Sequence, residues 1–393
     1  MKFRRGPGRS LLVFLHTALL HGFYLAIIHE LCCKMSQQCY DMVSHGIKLT
    51  QKLQFQPCKV LVVQKRTRLV RETLRHPCYL ENLQTAGRLE DKTAIKTRHD
   101  VHEANLSMIL TELNKYFEDV KLVDTITKNH LEWADLFISA GGDGTYLNVA
   151  SQLEGGEMLI GLNTDPDRSV GHLCARSKHS HNLKYIIKQM ACGECTFIKR
   201  SRLRIKLTYP CIGELTELEI PRYALNDVYI GETSPTRLSY LELKIDNFPI
   251  EKQKSSGFLV CTGSGSTAWG YHVNCLDFYR TYKFLSVLQD RGLIGNKPTN
   301  EEISIIMQRF NESFVFNAND RRMKYITREA LQNNVFKAAN TQGYAKSISI
   351  RSLCWNGKIV MDGIQRKFNF DDGVIANITT RDEDSINSIQ FVD

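Results

Sequence analysis

Short apolar runs alternate with amphipathic helical stretches between residues 59 and 190. The run KVLVVQK at 59–65 has the length and the β-branched content of a buried strand. In HDVHEANLSMILTELNKYFED, at 99–119, apolar residues recur at steps of three and four and give a helix one apolar face. Because strands that alternate with helices form a parallel sheet covered on both faces, this part of the chain predicts an α/β domain.

The pattern changes near residue 196, where apolar and polar residues begin to alternate one by one. The stretches SRLRIKLTY, at 201–209, and SYLELKIDNFPIEKQ, at 239–253, are typical of antiparallel strands. Residues from about 274 to 338 are predicted to be a mainly helical insertion, in which Thr299 is followed by glutamates as in a capping box. Strand patterns then return and continue to the end of the chain.

These patterns predict a parallel-sheet α/β domain followed by a β-rich, antiparallel β-sandwich-like domain. The predicted division is a targeting segment at 1–50, a nucleotide-binding α/β domain at 51–195 and a β-rich domain at 196–393. The first 29 residues contain four Lys/Arg and no acid, with an apolar run interrupted by two histidines. This composition fits a mitochondrial presequence and also a secretory signal or membrane anchor. Membrane contact is expected only if this run is retained.

The net charge and the cysteines indicate which class of protein and which cellular compartment fit this sequence. The net charge is +9, of which residues 51–393 contribute +5, with 45 Lys/Arg against 40 Asp/Glu. This mild surplus suits an enzyme of anionic substrates better than a nucleic-acid binder. The cysteines lie mostly inside apolar runs, which favours a reducing compartment and so the mitochondrial alternative. The pair in CGEC, Cys192 and Cys195, lacks a second ligand pair, so no metal site is predicted.

Three glycines surround one aspartate in LFISAGGDGTYLNVASQ, at 136–152. Gly141, Gly142 and Gly144 have no Cβ, so backbone N–H groups can approach a phosphate closely. The loop follows a predicted strand and precedes a helix whose N-terminus attracts anions, with Thr145 near the cap. Because ligands sit at the carboxyl ends of parallel strands, Asp143 is expected at a phosphate site, where its carboxylate accepts a proton or binds a metal.

The loop resembles the GGDGT signature of NAD kinases, of diacylglycerol and sphingosine kinases and, with a final serine, of phosphofructokinases. Three further stretches resemble NAD kinase motifs in the family's order: GLNTDPDRSVGHL at 161–173, ALNDV at 224–228 and CTGSGSTAWG at 261–270. The chain is therefore similar to the NAD kinase family over about residues 57–393. The residues within these motifs are most similar to those of the family's mitochondrial branch in animals.

The resemblance implies transfer of the γ-phosphoryl group of ATP to the 2′-hydroxyl of the adenosine ribose of NAD, giving NADP. Asp143 would be the catalytic base, while Gly141, Gly142, Gly144 and Thr145 would hold the phosphates, with Mg²⁺ bound to ATP. NAD would contact five residues: Asn226, Asp227, Thr267, Ala268 and Trp269. The resemblance also implies a homodimer in the mitochondrial matrix.

Two other functions remain compatible with parts of the sequence. A lipid kinase of the GGDGT group would use the apolar N-terminus as a membrane anchor, but it leaves the motifs at 161–173 and 261–270 unexplained. A non-catalytic NAD(P) sensor is allowed by three departures from the family pattern: Asp227 for glutamate, Trp269 for tyrosine and Ser256 for aspartate. The intact glycine loop argues against a sensor, which does not need a γ-phosphate site beside a base.

Overall fold

A computed structural model describes residues 59–175, 182–210, 215–220, 222–296, 298–336, 338–363 and 366–390. The predicted targeting segment at 1–50 lies outside these ranges. Within them the chain forms three six-stranded sheets and nine α-helices, which we number in chain order. None of the described helices is long and apolar enough to cross a membrane.

The first sheet is mostly parallel. Its strands are β1 (Lys59–Gln64), β2 (Asp119–Val123), β3 (Leu136–Ala140), β4 (Met158–Leu162), β5 (Thr196–Arg200) and, from the end of the chain, β18 (Ile386–Gln390). In space they follow the order β2-β1-β3-β4-β18-β5, and all pairs are parallel except β18 with β5. Strands from the predicted β-rich region therefore complete this sheet, because the chain returns to it at its end.

Six helices accompany the first sheet. They are α1 (Arg68–Arg75), α2 (Tyr79–Thr85), α3 (Leu89–Leu113), α4 (Lys128–Trp133), α5 (Asp143–Ala150) and α6 (Leu183–Ala191). Both faces of the sheet are covered, since Val62 packs in one apolar cluster with Ile109 of α3 and Ile187 of α6. Val63, the next residue, packs in the opposite cluster with Tyr146 of α5. This alternation confirms the predicted covered parallel sheet.

The other two sheets are antiparallel and form a sandwich. The second sheet has the order β10-β9-β14-β17-β6-β7 and the third β13-β12-β11-β8-β15-β16. The strand bounds are β6 (Leu203–Pro210), β7 (Leu215–Glu219), β8 (Asp227–Glu232), β9 (Ser239–Ile245), β10 (Glu251–Ser255), β11 (Gly257–Cys261), β12 (Met323–Arg328), β13 (Gln342–Ala345), β14 (Ser347–Ser352), β15 (Gly357–Met361), β16 (Lys367–Asn369) and β17 (Ile375–Thr380). Ile205 and Ile350 of one sheet share a buried core with Val260 and Ile359 of the other, which confirms the predicted fold class.

Three helices lie between β11 and β12. They are α7 (Trp269–Asn274), α8 (Phe278–Asp290) and α9 (Asn300–Glu312). The expected capping box is present, because Thr299 Oγ1 accepts from Glu302 N at 3.2 Å while Glu302 Oε2 accepts from Thr299 N at 2.8 Å. The helical prediction extended too far, however. Residues Met323–Arg328 form β12, since alternate residues of MKYITR, including Met323 and Tyr325, are buried in the sandwich core.

Candidate active site

The glycine loop begins where β3 ends, and Gly142 is the N-cap of α5. Gly141 is closely packed: its N–H donates to the Leu162 carbonyl at 2.9 Å, and a Cβ there would lie 2.4 Å from Thr145 Oγ1 and 2.9 Å from Lys65 Cβ. At Gly144 a Cβ would meet no atom within 4 Å. The first glycine is therefore required by packing, whereas the third faces open space.

Three backbone N–H groups at the start of α5 have no acceptor in the described part of the chain. The first N–H groups of a helix have no intrahelical partner, and Thr145 N uses the Gly142 carbonyl at 2.9 Å. The N–H groups of Gly142, Asp143 and Gly144 donate to no atom of the described residues. Converging N–H groups at a helix N-terminus form an anion site, so this arrangement suits the terminal phosphates of a nucleotide.

The Asp143 carboxylate is held by a second motif. Its Oδ2 accepts from His172 N at 2.9 Å and its Oδ1 accepts from Leu173 N at 2.8 Å. The turn that supplies these N–H groups is fixed by Asn163, whose Nδ2 donates to the Ser169 carbonyl at 2.7 Å. The structure thus brings the segment 161–173 onto the glycine loop. Each carboxylate oxygen keeps a further lone pair for a ligand.

The two sandwich motifs also lie together. The N–H of Thr262 donates to the Asn226 carbonyl at 3.0 Å, and a Cβ at Gly265 would lie only 1.9 Å from the same oxygen. Asp227 pairs with Cys261 across strands β8 and β11. The Oδ1 atom of Asn226 is buried and has no partner among the described residues, so it is available to a ligand.

Asp362 is a site residue that the sequence analysis did not identify. Its carboxylate accepts from the N–H groups of Leu225, Asn226 and Asp227 at 2.7, 2.8 and 3.0 Å, and so fixes the turn that presents Asn226. Burial raises the pKa of Asp227 to about 7, and the charge of Asp362 adds to this effect. The only local signal was an Asp-Gly pair after β15, which is common in turns.

Two arginines connect the two halves of the site, and neither was predicted. Arg200 Nη1 at the end of β5 donates to Ser264 Oγ at 3.1 Å. Arg366 Nη2 donates to the Leu147 carbonyl of α5 at 3.4 Å and to Asn148 Oδ1 at 3.3 Å. The Arg200 contact ties the first sheet to the 261–270 motif. The Arg366 contacts tie α5 to the turn after β15, since the Arg366 carbonyl accepts from Met361 N at 3.1 Å.

The remaining predicted residues lie at the surface, in the second half of the 261–270 motif. Thr267 ends a short 3₁₀ helix, Gly265–Thr267, and its hydroxyl donates to the Ser264 carbonyl at 3.1 Å, with Ala268 partly buried beside it. The Trp269 ring, 38% exposed, lies 5.3 Å from the ring of Tyr229. Tyr229 in turn donates to the Ser256 carbonyl at 2.7 Å. Trp269 and Ser256 therefore belong to one neighbourhood, in which the Trp269 side chain is partly exposed.

Other features of the described residues do not belong to this site. No group of three or more His, Cys, Asp or Glu side chains in the described ranges is arranged to hold a metal ion. Cys192 and Cys195 are free thiols. A cavity of about 760 Å³ lies against the sandwich, lined by residues such as Lys244, Asp246 and Tyr344, and contains none of the predicted site residues.

Comparison with known proteins identifies the family. No protein-family model matches the chain. Mitochondrial NAD kinase 2 of Xenopus tropicalis is 30% identical over 396 residues, which cover 86% of this chain and 92% of that protein. The Homo sapiens protein of the same name is 30% identical over 381 residues, or 85% of this chain and 84% of that protein.

Among solved structures, yeast NADH kinase complexed with NADH is similar in fold. Its TM-score is 0.52 at 13% identity, with 88% of each chain covered. At this identity the likeness supports the fold only. The matches to the two mitochondrial relatives cover most of this chain and most of each relative. They show that the chain belongs to the NAD kinase family.

Proposed function

We propose that the protein is an NAD kinase, which transfers the γ-phosphoryl group of ATP to the 2′-hydroxyl of the adenosine ribose of NAD and releases NADP and ADP. The observation that carries this proposal is the position of Asp143. Its carboxylate is fixed by the N–H groups of His172 and Leu173, and it lies at the start of a helix with three free N–H groups. A base and a phosphate site are therefore adjacent.

Asp143 accepts the proton of the 2′-hydroxyl as its oxygen attacks the γ-phosphorus. The new bond is between this oxygen and phosphorus, and the bond that breaks joins the γ-phosphorus to the oxygen that leaves with ADP. General-base assistance of this kind contributes about 10²- to 10⁴-fold to a rate. The two N–H donors keep the carboxylate oriented, so little reorganisation is needed during the reaction.

The terminal phosphates are held by the free N–H groups of Gly142, Asp143 and Gly144, with Gly141 and Thr145 shaping the loop. Mg²⁺ bound to the triphosphate of ATP would neutralise part of its charge.

The dinucleotide is held by the sandwich motifs. Asn226 offers its buried side-chain amide oxygen, which has no partner among the described residues, to adenine or to a ribose hydroxyl. Asp227 accepts from ribose hydroxyls, while Thr267 and Ala268 lie against the dinucleotide backbone. Trp269, which is partly exposed, stacks on a ring of the ligand.

We further propose a homodimer in the mitochondrial matrix, directed there by the N-terminal segment as a transit peptide. The support for this location is that both relatives described above are mitochondrial proteins and that the first 29 residues are basic and lack acids. The homodimer follows from the family resemblance.

The function is tested by incubating the full-length protein with ATP and Mg²⁺ and each candidate acceptor in turn. We expect NADP to form from NAD, detected through an NADP-specific dehydrogenase. Phosphate transfer to sphingosine or diacylglycerol instead would identify a lipid kinase. Tight NAD binding without turnover would identify a sensor, and either result contradicts the proposal.

A further inference from the structure

His102 of α3 is a buried histidine that the proposed reaction does not use. Only 1% of its surface is exposed, and its Nδ1 lies 2.8 Å from Thr164 Oγ1. Its other ring nitrogen, Nε2, is buried and has no hydrogen-bond partner among the described residues. Leaving a buried polar atom unpaired costs about 1–3 kcal/mol, so we expect this nitrogen to have a partner other than the described residues.

The position of His102 suggests what this partner is. Thr164 follows β4, and Lys65 follows β1, so both lie at the carboxyl edge of the parallel sheet, where ligands bind. Lys65 also adjoins the glycine loop, because its Cβ would be 2.9 Å from a Cβ on Gly141. His102, Lys65 and the loop therefore occupy one edge of the first sheet.

Charges of both signs surround His102. Burial lowers the pKa of His102, and among the charges around it Lys65 and His99 lower the pKa while Glu103 and Asp165 raise it. The ring is therefore neutral near pH 7, and Nε2 carries the proton whenever the Thr164 hydroxyl donates to Nδ1. Lys65 forms no salt bridge with a described residue, so its ammonium group is free for a ligand. A neutral donor beside an unpaired cation suits a phosphate oxygen.

We propose that His102 Nε2 and the Lys65 ammonium bind a phosphate group of the nucleotide donor, next to the γ-phosphate held at the start of α5. This inference rests on the proposed kinase function and adds a second phosphate-binding corner to it. The triphosphate would then extend along the sheet edge from the glycine loop towards α3.

Full-length His102→Gln and Lys65→Gln variants test this corner, with His99→Gln as the matched control. His99 lies on the same helix, but its Nδ1 contacts Thr67 Oγ1 at 3.0 Å. We measure KM for ATP and for NAD, and the inhibition constant of inorganic tripolyphosphate against ATP. Loss of one hydrogen bond to a charged group should raise KM for ATP and the tripolyphosphate constant about tenfold. KM for NAD should be unchanged in both variants. The His99→Gln control should keep the wild-type values of all three constants.

Three outcomes would overturn the inference. A higher KM for ATP with unchanged tripolyphosphate inhibition would place His102 on the base or ribose. A lower kcat alone would make it a residue that only positions the 163–173 turn. No change in either quantity would mean that Nε2 binds water. Calorimetry with tripolyphosphate needs no turnover, so it tests the corner even if NAD is not phosphorylated, and thermal unfolding identifies a misfolded variant.

Discussion

At the edge of the first sheet, the proposed ligand-binding groups are the backbone N–H groups of Gly142, Asp143 and Gly144. At the sandwich, the proposed ligand-binding groups are the side chains of Asn226 and Asp227. The two regions therefore respond differently to mutation. Backbone groups are removed only by distorting the loop. Side chains are removed directly, and burying them has a cost in free energy that is visible in the raised pKa of Asp227.

The largest effect of a substitution is expected on kcat, at the Asp143 side chain beside the proposed phosphate site. Asp143→Asn keeps the size of the carboxylate and removes the base, so kcat should fall by about 10²- to 10⁴-fold. The affinity for ATP should change by less than about threefold, because the backbone N–H groups remain. Steady-state kinetics with equilibrium ATP binding checks both. Equal loss of kcat and ATP affinity would assign Asp143 to phosphate or metal binding instead.

A pH-dependent effect is expected at the sandwich. Burial raises the pKa of Asp227 to about 7 from an ordinary value of 3.8, so folding favours the protonated form. The free energy of unfolding should therefore fall as pH rises from about 4 towards about 7, by an amount on the order of a few kcal/mol. Asp227→Asn cannot ionise and should escape this loss.

Thermal unfolding of wild type and Asp227→Asn at pH 5, 6, 7 and 8 measures the difference. The variant should become more stable than wild type as pH rises, with the gap levelling off above about pH 7. A constant gap across this range would contradict a raised pKa at this residue.

A smaller difference, in the free energy of unfolding, is expected between alanine substitutions at Gly265 in the sandwich motif and at Gly144 in the glycine loop. A Cβ at Gly265 would lie 1.9 Å from the Asn226 carbonyl, so Gly265→Ala should shift the turn, lower the free energy of unfolding by about 1–3 kcal/mol and raise KM for NAD. Gly144→Ala meets open space and should leave stability within about 0.5 kcal/mol of wild type. Denaturant unfolding compares the pair. Equal losses would mean that the close contact at Gly265 is relieved without cost.

The sequence predicted the parts of the molecule that are encoded locally. The strand before Gly141, the helix after it and the cap at Thr299 are each specified within a few residues. Asp362 was missed because it reaches Asn226 from 136 residues away in the chain, and Arg366 reaches Leu147 from 219 residues away. Such contacts depend on strand order, which no local pattern specifies.

The similarity to NAD kinase motifs identified a binding segment that local sequence patterns did not. The pair at 226–227 is ordinary turn chemistry by itself, and only its order among the other motifs marked it as a binding segment. Short helices such as α1 were missed because α1 has only eight residues and buries none of them, although Leu69, Val70 and Leu74 lie on one face. β12 was missed because it follows a long helical stretch, although alternate residues of the strand are buried in the sandwich core.

The most direct test of the account is a crystal structure of the Asp143→Asn variant with ATP, Mg²⁺ and NAD bound. We predict that γ-phosphate oxygens lie about 2.7–3.2 Å from the backbone nitrogens of residues 142–144. The 2′-oxygen of the adenosine ribose should lie about 2.6–3.2 Å from the side-chain oxygen at position 143. A triphosphate bound away from the start of α5, or a 2′-hydroxyl out of reach of residue 143, would contradict it.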